Sequence, residues 1–340
     1  MDVRTALARL AEHQTLSQAE SRQVFAQVMS GEATPAQIGA LLMGFRLKGE
    51  TAEEIAGAAE TMRALSTRVT VDVPHLVDTC GTGGSGAKLF NVSTAAAFVA
   101  AAAGAHVAKH GNRKMTSASG SADVLEAAGV NLALTPEQIA RCIREVGVGF
   151  LFAQAHHGAM KHAAPVRQEL GVRTLMNLLG PLTNPAGARR QVIGVFNPQF
   201  QETLARVLKL LDAEHVLVVH SNGLDEIALD ASTYVVELKD GRIDGFEIAP
   251  EDFGISRRPA AELRSDSPES SLALVRRALT EADSAAADIV SLNAGAAIYA
   301  AGVAASLSDG VKRAREAIGA GLAQERLDEL VRLTSELGAS

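Results

Sequence analysis

The spacing of apolar residues divides the chain into two parts. Up to residue 70 the pattern is that of helices separated by short turns, and three segments begin with a hydroxyl residue followed three positions later by Glu or Gln. Such pairs cap the first turn of a helix. They are Ser17 with Glu20, Thr34 with Gln37, and Thr51 with Glu54. Residues 1–70 therefore predict a small helical domain.

Beyond this point short apolar runs alternate with helical segments. Val69–Asp78 predicts extended chain that leads into a glycine-rich turn, residues 233–241 predict a hairpin, and Leu272–Leu337 predicts helices interrupted at Gly302, Gly310 and Gly319. The other predicted strands are Ala105–Ala108, Val148–Phe152, Val192–Phe196 and Val216–Val219, with helices near 93–103, 136–146, 159–169 and 201–212. This alternation favours an α/β domain over residues 71–340, with a central, mostly parallel sheet and helices on both sides. Its ligand site is expected at the carboxyl ends of the strands.

Composition narrows the possible partners. In 340 residues, 47% are hydrophobic and the formal net charge is −7, so a large core is expected without a general grip on nucleic acid or on an anionic membrane. The apolar stretch Ala95–Ala108 is too short to span a bilayer, and the first ten residues lack the pattern of a secretion signal. Cys80 and Cys142 have no zinc-site spacing and fit a reducing cytoplasm. We expect a cytoplasmic protein that binds small molecules.

The densest chemical signal is the segment from Asp78 to Gly86, which holds four glycines in six positions. It follows a predicted strand and precedes a predicted helix near Ser93. Glycines allow backbone N–H groups to turn toward one point, and a helix N-terminus adds positive potential, so the loop suits phosphate. A flexible surface turn is the simpler alternative.

Two common phosphate loops fit this segment poorly. Gly81, Gly83 and Gly86 match G-x-G-x-x-G, but the next strand ends in Lys109 and His110 instead of the acidic residue that a dinucleotide fold needs. Gly81 and Gly86 also have the spacing of a nucleoside-triphosphate loop, but Ala87 stands where that loop has lysine. Both interpretations are disfavoured.

Polar residues in the following loops support a third interpretation. Asn91, Ser93 and Thr94 lie at a helix start, Lys109–Arg113 leaves the next strand with two fixed positive charges, and Thr116–Ser121 adds hydroxyls. Each set alone is explained by helix caps or by a solvated edge. On successive strand ends, however, they predict one pocket for a highly charged phosphate ligand.

An acidic pair, Asp225 and Glu226, follows the predicted strand 216–219. Neighbouring carboxylates on a loop suit Mg²⁺, which is commonly held by one or two carboxylates together with substrate phosphates, although an exposed acidic turn is equally compatible. The basic cluster His156, His157, Lys161, His162, Arg167 and Arg173 has no zinc spacing. Arg167 could bind a carboxylate or form a surface ion pair.

Several long motifs occur in a familiar order. The chain resembles the anthranilate phosphoribosyltransferase family over nearly its whole length, most strongly from Asp78 to Ala186. The matching segments are GTGG at 81–84, FNVSTAAAF at 90–98, KHGNR at 109–113, SGSADVLEAAGV at 119–130, FLFAQAHHGAMKHAAPVRQELG at 150–171, NLLGPLTNPA at 177–186 and GLDE at 223–226.

The resemblance implies a Mg²⁺-dependent transfer of the phosphoribosyl group from 5-phosphoribosyl 1-pyrophosphate to anthranilate, in tryptophan biosynthesis. It also implies a helical domain joined by part of residues 174–190, and a homodimer formed through that domain. By the family's pattern, phosphoribosyl pyrophosphate is held by Gly81, Gly83, Gly84, Asn91, Ser93, Thr94, Lys109 and Ser121. Anthranilate is bound by Gly81, Asn112, His157, Arg167 and Gly180, and the metal by Ser93, Asp225 and Glu226. No general base is assigned.

The chain departs from the family at three places. Ser85 stands where Asp is common, which puts any metal or ribose role of that carboxylate in doubt. Lys114, Met115 and Thr116 replace a segment of small residues, and Gly158 replaces a common Pro.

Other functions stay open at this point. A nucleoside phosphorylase of the same architecture would bind free phosphate, and an NADP-linked dehydrogenase rests on the G-x-G-x-x-G match alone. A non-catalytic relative that binds nucleic acid would need a basic groove, which the net charge does not indicate.

Overall fold

The computed structural model describes residues 1–84, 86–113 and 119–339. Ser85 and residues 114–118, where two of the departures and the hydroxyls of Thr116 and Ser117 fall, lie outside the described residues. The helices are α1 (Val3–Ala11), α2 (Gln18–Ser30), α3 (Pro35–Lys48), α4 (Ala52–Leu65), α5 (Val92–Ala102), α6 (Ser121–Ala128), α7 (Pro136–Val146), α8 (Ala153–His156), α9 (Ala164–Leu170), α10 (Phe200–Leu210), α11 (Pro268–Thr280), α12 (Ala285–Ala300), α13 (Leu307–Gly319) and α14 (Leu322–Gly338). The strands are β1 (Leu76–Thr79), β2 (His106–Gly111), β3 (Val148–Phe152), β4 (Arg190–Gly194), β5 (His215–His220), β6 (Thr233–Lys239) and β7 (Arg242–Ile248).

The three predicted helix starts are confirmed in α2, α3 and α4. Each N-cap hydroxyl accepts a hydrogen bond from the backbone N–H three residues on, and the Glu or Gln at that position returns one. Glu54 is fully buried and also accepts from the backbone N–H of Leu16 and from Lys48, at 2.9 Å each. Because all its partners are charged or backbone donors, this buried carboxylate ties α2 and α3 to α4 without leaving a charge unpaired.

One seven-stranded sheet runs in the order β3-β2-β1-β4-β5-β6-β7. The first five strands are parallel, and β6 and β7 form an antiparallel hairpin. Asp240 and Gly241 turn the hairpin with φ of 51° and 72°, as a two-residue turn requires. The mostly parallel sheet and the hairpin are therefore confirmed.

Two large cores flank the sheet. On one face, Val77, Val107 and Leu217 pack beneath α5 and the four C-terminal helices, and α5 is enclosed by α12 and α14. On the other face, Val216 and Val218 join α10 to the helices of residues 1–70. The short helical turns Leu175–Asn177 and Gly180–Leu182 pack into the same core. The division of the chain at residue 70 stays a prediction.

Two elements differ from expectation. Within the extended chain predicted over Val69–Asp78, the strand covers Leu76–Thr79, and the Val69 N–H donates to Pro185 O. The helix expected over 159–169 is a 3₁₀ turn followed by α9, whose first turn contains Pro165.

Gly310 does not interrupt a helix but lies inside α13. A Cβ atom there would stand 2.2 Å from Gly295 O of α12, so this glycine permits the close crossing of the two helices. None of the described helices combines the length and the apolar character that crossing a bilayer would demand.

Candidate active site

A cavity of about 750 Å³ opens at the carboxyl ends of the parallel strands. The glycine loop after β1, the end of β2, the turn after β5 and the segment 157–183 all contribute to its wall. It brings together every predicted site residue except Thr94, namely Gly81, Gly83, Gly84, Asn91, Ser93, Lys109, Asn112, Ser121, His157, Arg167, Gly180, Asp225 and Glu226. The turns therefore face one common space.

The glycine loop adopts backbone conformations that favour glycine. Gly83 and Gly84 have φ of 66° and 87°. The loop is fastened to the neighbouring strand because Thr82 donates its backbone N–H to Gly194 O at 2.8 Å. Gly81 lies against the same point, where an added Cβ would be 3.1 Å from Gly194 O. Backbone therefore approaches backbone closely at the end of β4.

Lys109 brings a positive charge beneath this loop. Side chains alternate along β2, so Lys109 points to the α5 face of the sheet. Its Nζ donates to Thr79 O at 2.7 Å and to Ser93 Oγ at 3.3 Å, and the side chain is buried. Burial lowers the pKa of Lys109, against the charges of nearby acidic groups. The ammonium group thus sits between the glycine loop and the start of α5.

The start of α5 is held by side chains from two other segments. Asn91 Oδ1 accepts hydrogen bonds from Ser119 Oγ and from Ser271 Oγ, at 2.7 Å each. Ser93 lines the cavity, whereas Thr94 is buried and its Oγ1 has no hydrogen-bond partner among the described residues. The Thr94 side chain thus faces the protein interior and does not line the cavity.

The acidic pair approaches the glycine loop from the turn after β5. A Cβ atom on Gly194 would stand 1.7 Å from Asp225 O, so only glycine lets the Asp225 backbone pass over the end of β4. Ile227, which follows the acidic pair, is fixed by Asn293 of α12, which accepts from its N–H and donates to its carbonyl oxygen, at 2.9 Å each. Desolvation within the protein, and then the Asp225 charge, raise the pKa of Glu226 to about 8. Two neighbouring carboxyl groups at a cavity wall are the oxygen donors that suit a hard divalent cation.

Two imidazoles also line the cavity. His110 Nδ1 lies 3.2 Å from Gly180 O, and its Nε2 lies 3.3 Å from His157 Nε2. Burial is the main cause that lowers the pKa of His110 to about 3 and that of His157 to about 4. Both rings are therefore neutral at pH 7. Burial also lowers the pKa of Arg167, which lines the same cavity.

Asp78, Cys80 and His110 form a second group with metal-ligand atoms, all within 4.8 Å of one another. Burial raises the pKa of Asp78 to about 6 and raises that of the Cys80 thiol far above its usual range. His110 donates its backbone N–H to Asp78 Oδ1 at 3.1 Å. A protonated thiol and a carboxyl group that accepts a backbone N–H are poor metal ligands, so this group indicates structural packing at the cavity wall.

Sequence reasoning missed the roles of Gly194, Arg173 and Phe196. Gly194 carries no local signal, because the close approach of Asp225 depends on the turn after another strand. Arg173 belongs to the basic cluster and is given no role by the sequence, yet its Nη2 donates to Gly84 O at 2.6 Å. Phe196 lies beneath the Arg173 guanidinium at 3.6 Å from the ring centroid and lines the cavity.

Comparison with known proteins gives the relatives of this chain. The glycosyl transferase family, a/b domain, matches residues 73–324, and the helical bundle domain of the glycosyl transferase family matches residues 4–66. The anthranilate phosphoribosyltransferase of Hahella chejuensis is 57% identical over 335 residues, which cover 97% of each chain. That of Pseudomonas aeruginosa is 55% identical and covers 98% of each chain.

Solved structures agree. The anthranilate phosphoribosyltransferase from Thermus thermophilus superposes with a TM-score of 0.92 at 45% identity, over 97% of this chain and 99% of that one. The Saccharomyces cerevisiae enzyme, solved with phosphoribosyl pyrophosphate and magnesium, has a TM-score of 0.88 at 23% identity over 98% of both chains and shares the fold. With relatives of 55–57% identity along nearly its full length, the chain belongs to the anthranilate phosphoribosyltransferase family.

Proposed function

We propose that this chain transfers the phosphoribosyl group of 5-phosphoribosyl 1-pyrophosphate to the amino group of anthranilate and releases pyrophosphate, which is the second step of tryptophan biosynthesis from chorismate. One observation carries the proposal. A single cavity is lined by a phosphate-type glycine loop, a buried lysine, an acidic pair, two neutral imidazoles and an arginine.

The donor would occupy the end formed by the glycine loop and α5. Backbone N–H groups of the loop and the α5 N-terminus favour phosphate oxygens, and the Lys109 ammonium group would be stabilised in its charged form by a bound anion. We assign phosphoribosyl pyrophosphate to Gly81, Gly83, Gly84, Asn91, Ser93, Lys109 and Ser121. Thr94 would act only indirectly, because it is buried outside the cavity.

Mg²⁺ fits the acidic pair. Asp225 and Glu226 are oxygen donors at the cavity wall, and burial, followed by the Asp225 charge, raises the pKa of Glu226, so a bound cation would favour its ionised form. When bound, Mg²⁺ would neutralise the pyrophosphate leaving group. Asp225, Glu226 and Ser93 would hold it.

The acceptor would occupy the part of the cavity that is lined by Arg167 and His157. Arg167 offers a forked donor for the anthranilate carboxylate, and Asn112 and Gly180 supply polar atoms beside it. Since an aryl amine is neutral and nucleophilic at pH 7, no strong base is required. The neutral rings of His110 and His157 can accept a hydrogen bond from the amine, but their lowered pKa values make them poor holders of the released proton.

Catalysis would then rest on electrostatics and positioning. Transfer at an anomeric carbon develops positive charge on the sugar ring and negative charge on the leaving pyrophosphate. Lys109 and the loop N–H groups would stabilise the negative charge on the leaving pyrophosphate. Arg167, Asn112 and Gly180 would orient the amine. No covalent enzyme intermediate is needed.

The test measures pyrophosphate release in the presence of Mg²⁺, phosphoribosyl pyrophosphate and anthranilate. We expect release that depends on anthranilate, and a strongly raised Mg²⁺ requirement in an Asp225→Asn, Glu226→Gln variant. The matched control is the variant Glu251→Gln, Asp252→Asn. These two acidic residues are also adjacent in the sequence, but they do not line the cavity. Absence of anthranilate-dependent release from the unsubstituted protein refutes the function. Unchanged Mg²⁺ dependence in the first variant removes the acidic pair from the metal site.

We also propose a cytoplasmic homodimer formed through the helical domain. Leu47 on α3 is 73% exposed, an apolar side chain that a second copy would cover. Both cysteines are free, which fits a reducing compartment. Light scattering of the unsubstituted chain and of Leu47→Glu tests the dimer, since only the variant should have the mass of one chain.

A further inference from the structure

Arg173 makes contacts to three separate parts of the molecule. It lies between α9 and the turn Leu175–Asn177, which is packed into the core of the helical domain. Its carbonyl oxygen accepts a hydrogen bond from the Arg46 side chain of α3. Its guanidinium lies on Phe196, just after β4, and donates to Gly84 O of the glycine loop. One side chain thus links the helical domain, the sheet and the phosphate loop.

Gly84 is shaped for this contact. Its φ of 87° is a backbone conformation that other residues rarely adopt, and an added Cβ would stand 2.8 Å from Arg173 Nη2. By contrast, a Cβ on Gly83 or Gly86 would meet nothing within 4 Å among the described residues. The Arg173 contact is therefore a second external restraint on the loop, beside the hydrogen bond from the Thr82 N–H to Gly194 O.

The guanidinium has donors to spare. Within the described residues, Arg173 forms no ion pair with a carboxylate, and its one side-chain hydrogen bond goes to Gly84 O. The side chain lines the cavity that would receive a polyanion. Its charge is thus available to the ligand end of the cavity.

We propose that Arg173 is a positioning residue that holds the glycine loop ready for the diphosphate of the donor. The inference rests on the proposed function for its choice of ligand. Glycine loses more conformational freedom than any other residue when it is ordered, so a loop fixed in advance costs less to bind. Phe196 sets the position of the guanidinium, and α3 sets the position of the Arg173 backbone.

The first test needs no substrate. Hydrogen exchange of the backbone amides over residues 80–90 is compared between the unsubstituted protein, Arg173→Ala and Arg189→Ala. Arg189 is the matched control, an exposed arginine paired with Glu214 at the amino end of β4, away from the cavity. We expect faster exchange of the loop only in Arg173→Ala, and protection restored when phosphoribosyl pyrophosphate is added. Exchange equal to that of the unsubstituted protein overturns the proposal, whether or not the chain is an enzyme.

The second test separates positioning from general damage. Losing a charge-assisted hydrogen bond and a cation–π contact should raise the KM for phosphoribosyl pyrophosphate on the order of tenfold, while the KM for anthranilate changes less than about twofold. Arg173→Lys keeps a donor but loses the stacked fork, so it should recover part of the effect. Phe196→Leu should raise the KM for phosphoribosyl pyrophosphate as well. In the double variant Arg173→Ala, Phe196→Leu this KM should be no higher than in Arg173→Ala alone. Additive effects, or a change confined to anthranilate, would overturn the positioning role.

Discussion

Substitution of Gly194 by Ala should displace the acidic pair while leaving both of its carboxyl groups in the sequence. The added Cβ would stand 1.7 Å from Asp225 O and 2.4 Å from Asp225 C, whereas real Cβ contacts essentially never fall below 3.0 Å. The Asp225 backbone must therefore move by about 1 Å or more, or the end of β4 must give way. Because Gly194 O also accepts the Thr82 N–H, a shift of β4 would disturb the glycine loop as well.

The magnitude follows from this displacement. A misplacement of about 1 Å at a reacting site can cost roughly 100-fold in rate, and overpacking costs about 1–3 kcal/mol of folding stability. We expect Gly194→Ala to remain folded, to lose about 100-fold in kcat/KM, and to need more Mg²⁺ for half-maximal pyrophosphate release. Gly319→Ala is the control, since its Cβ would meet nothing within 4 Å and its φ is ordinary.

Circular dichroism and thermal unfolding establish whether each variant is folded before its kinetics are compared. A folded Gly194→Ala protein with unchanged turnover and unchanged Mg²⁺ requirement would refute the argument. It would mean that the close passage of Asp225 over β4 does not govern the position of its carboxylate.

Three further predictions follow from the charges of the site. Because the pKa of Glu226 is raised to about 8, cation binding must displace a proton at neutral pH, so the Mg²⁺ concentration for half-maximal activity should fall between about pH 6.5 and about pH 8.5; Glu226→Gln should weaken this dependence. His110 and His157 have pKa values lowered to about 3 and about 4, so below about pH 6.5 the unfolded chain binds more protons than the folded chain. The free energy of unfolding, measured with urea, should therefore decrease as the pH falls. An unchanged dependence of this free energy on pH in His157→Asn would contradict the argument. Lys109→Met should raise the KM for phosphoribosyl pyrophosphate at least about tenfold, since it removes the buried charge at the donor end, and competition by inorganic pyrophosphate should weaken in parallel.

Much of the fold and most of the candidate site could be predicted from local patterns in the sequence. The capping pairs at Ser17, Thr34 and Thr51 depend on neighbours three residues away, so they could be predicted from the sequence alone. The convergence of loops at the strand ends followed from the parallel order of the sheet. The family resemblance then supplied individual site residues that spacing could not.

Features that depend on distant partners escaped prediction. Gly310 looks like a helix interruption until Gly295 of α12 is seen against it. Gly194 is an ordinary strand glycine until the turn after β5 brings Asp225 across it. Thr94 lies next to Ser93 in the sequence, but helical geometry turns it inward. Such contacts arise from tertiary packing, which a single sequence does not encode locally.

The enclosure of α5 by α14 has a consequence for biosynthesis. α5 orders the phosphate-binding end of the cavity, and Val92 and Ala95–Ala101 on it are all buried. About 220 residues separate α5 from α14 along the chain. A nascent polypeptide emerging from the ribosome must therefore carry an apolar, uncovered helix for most of its translation. Chaperones that shield such helices should engage this protein until the last covering segment has been made.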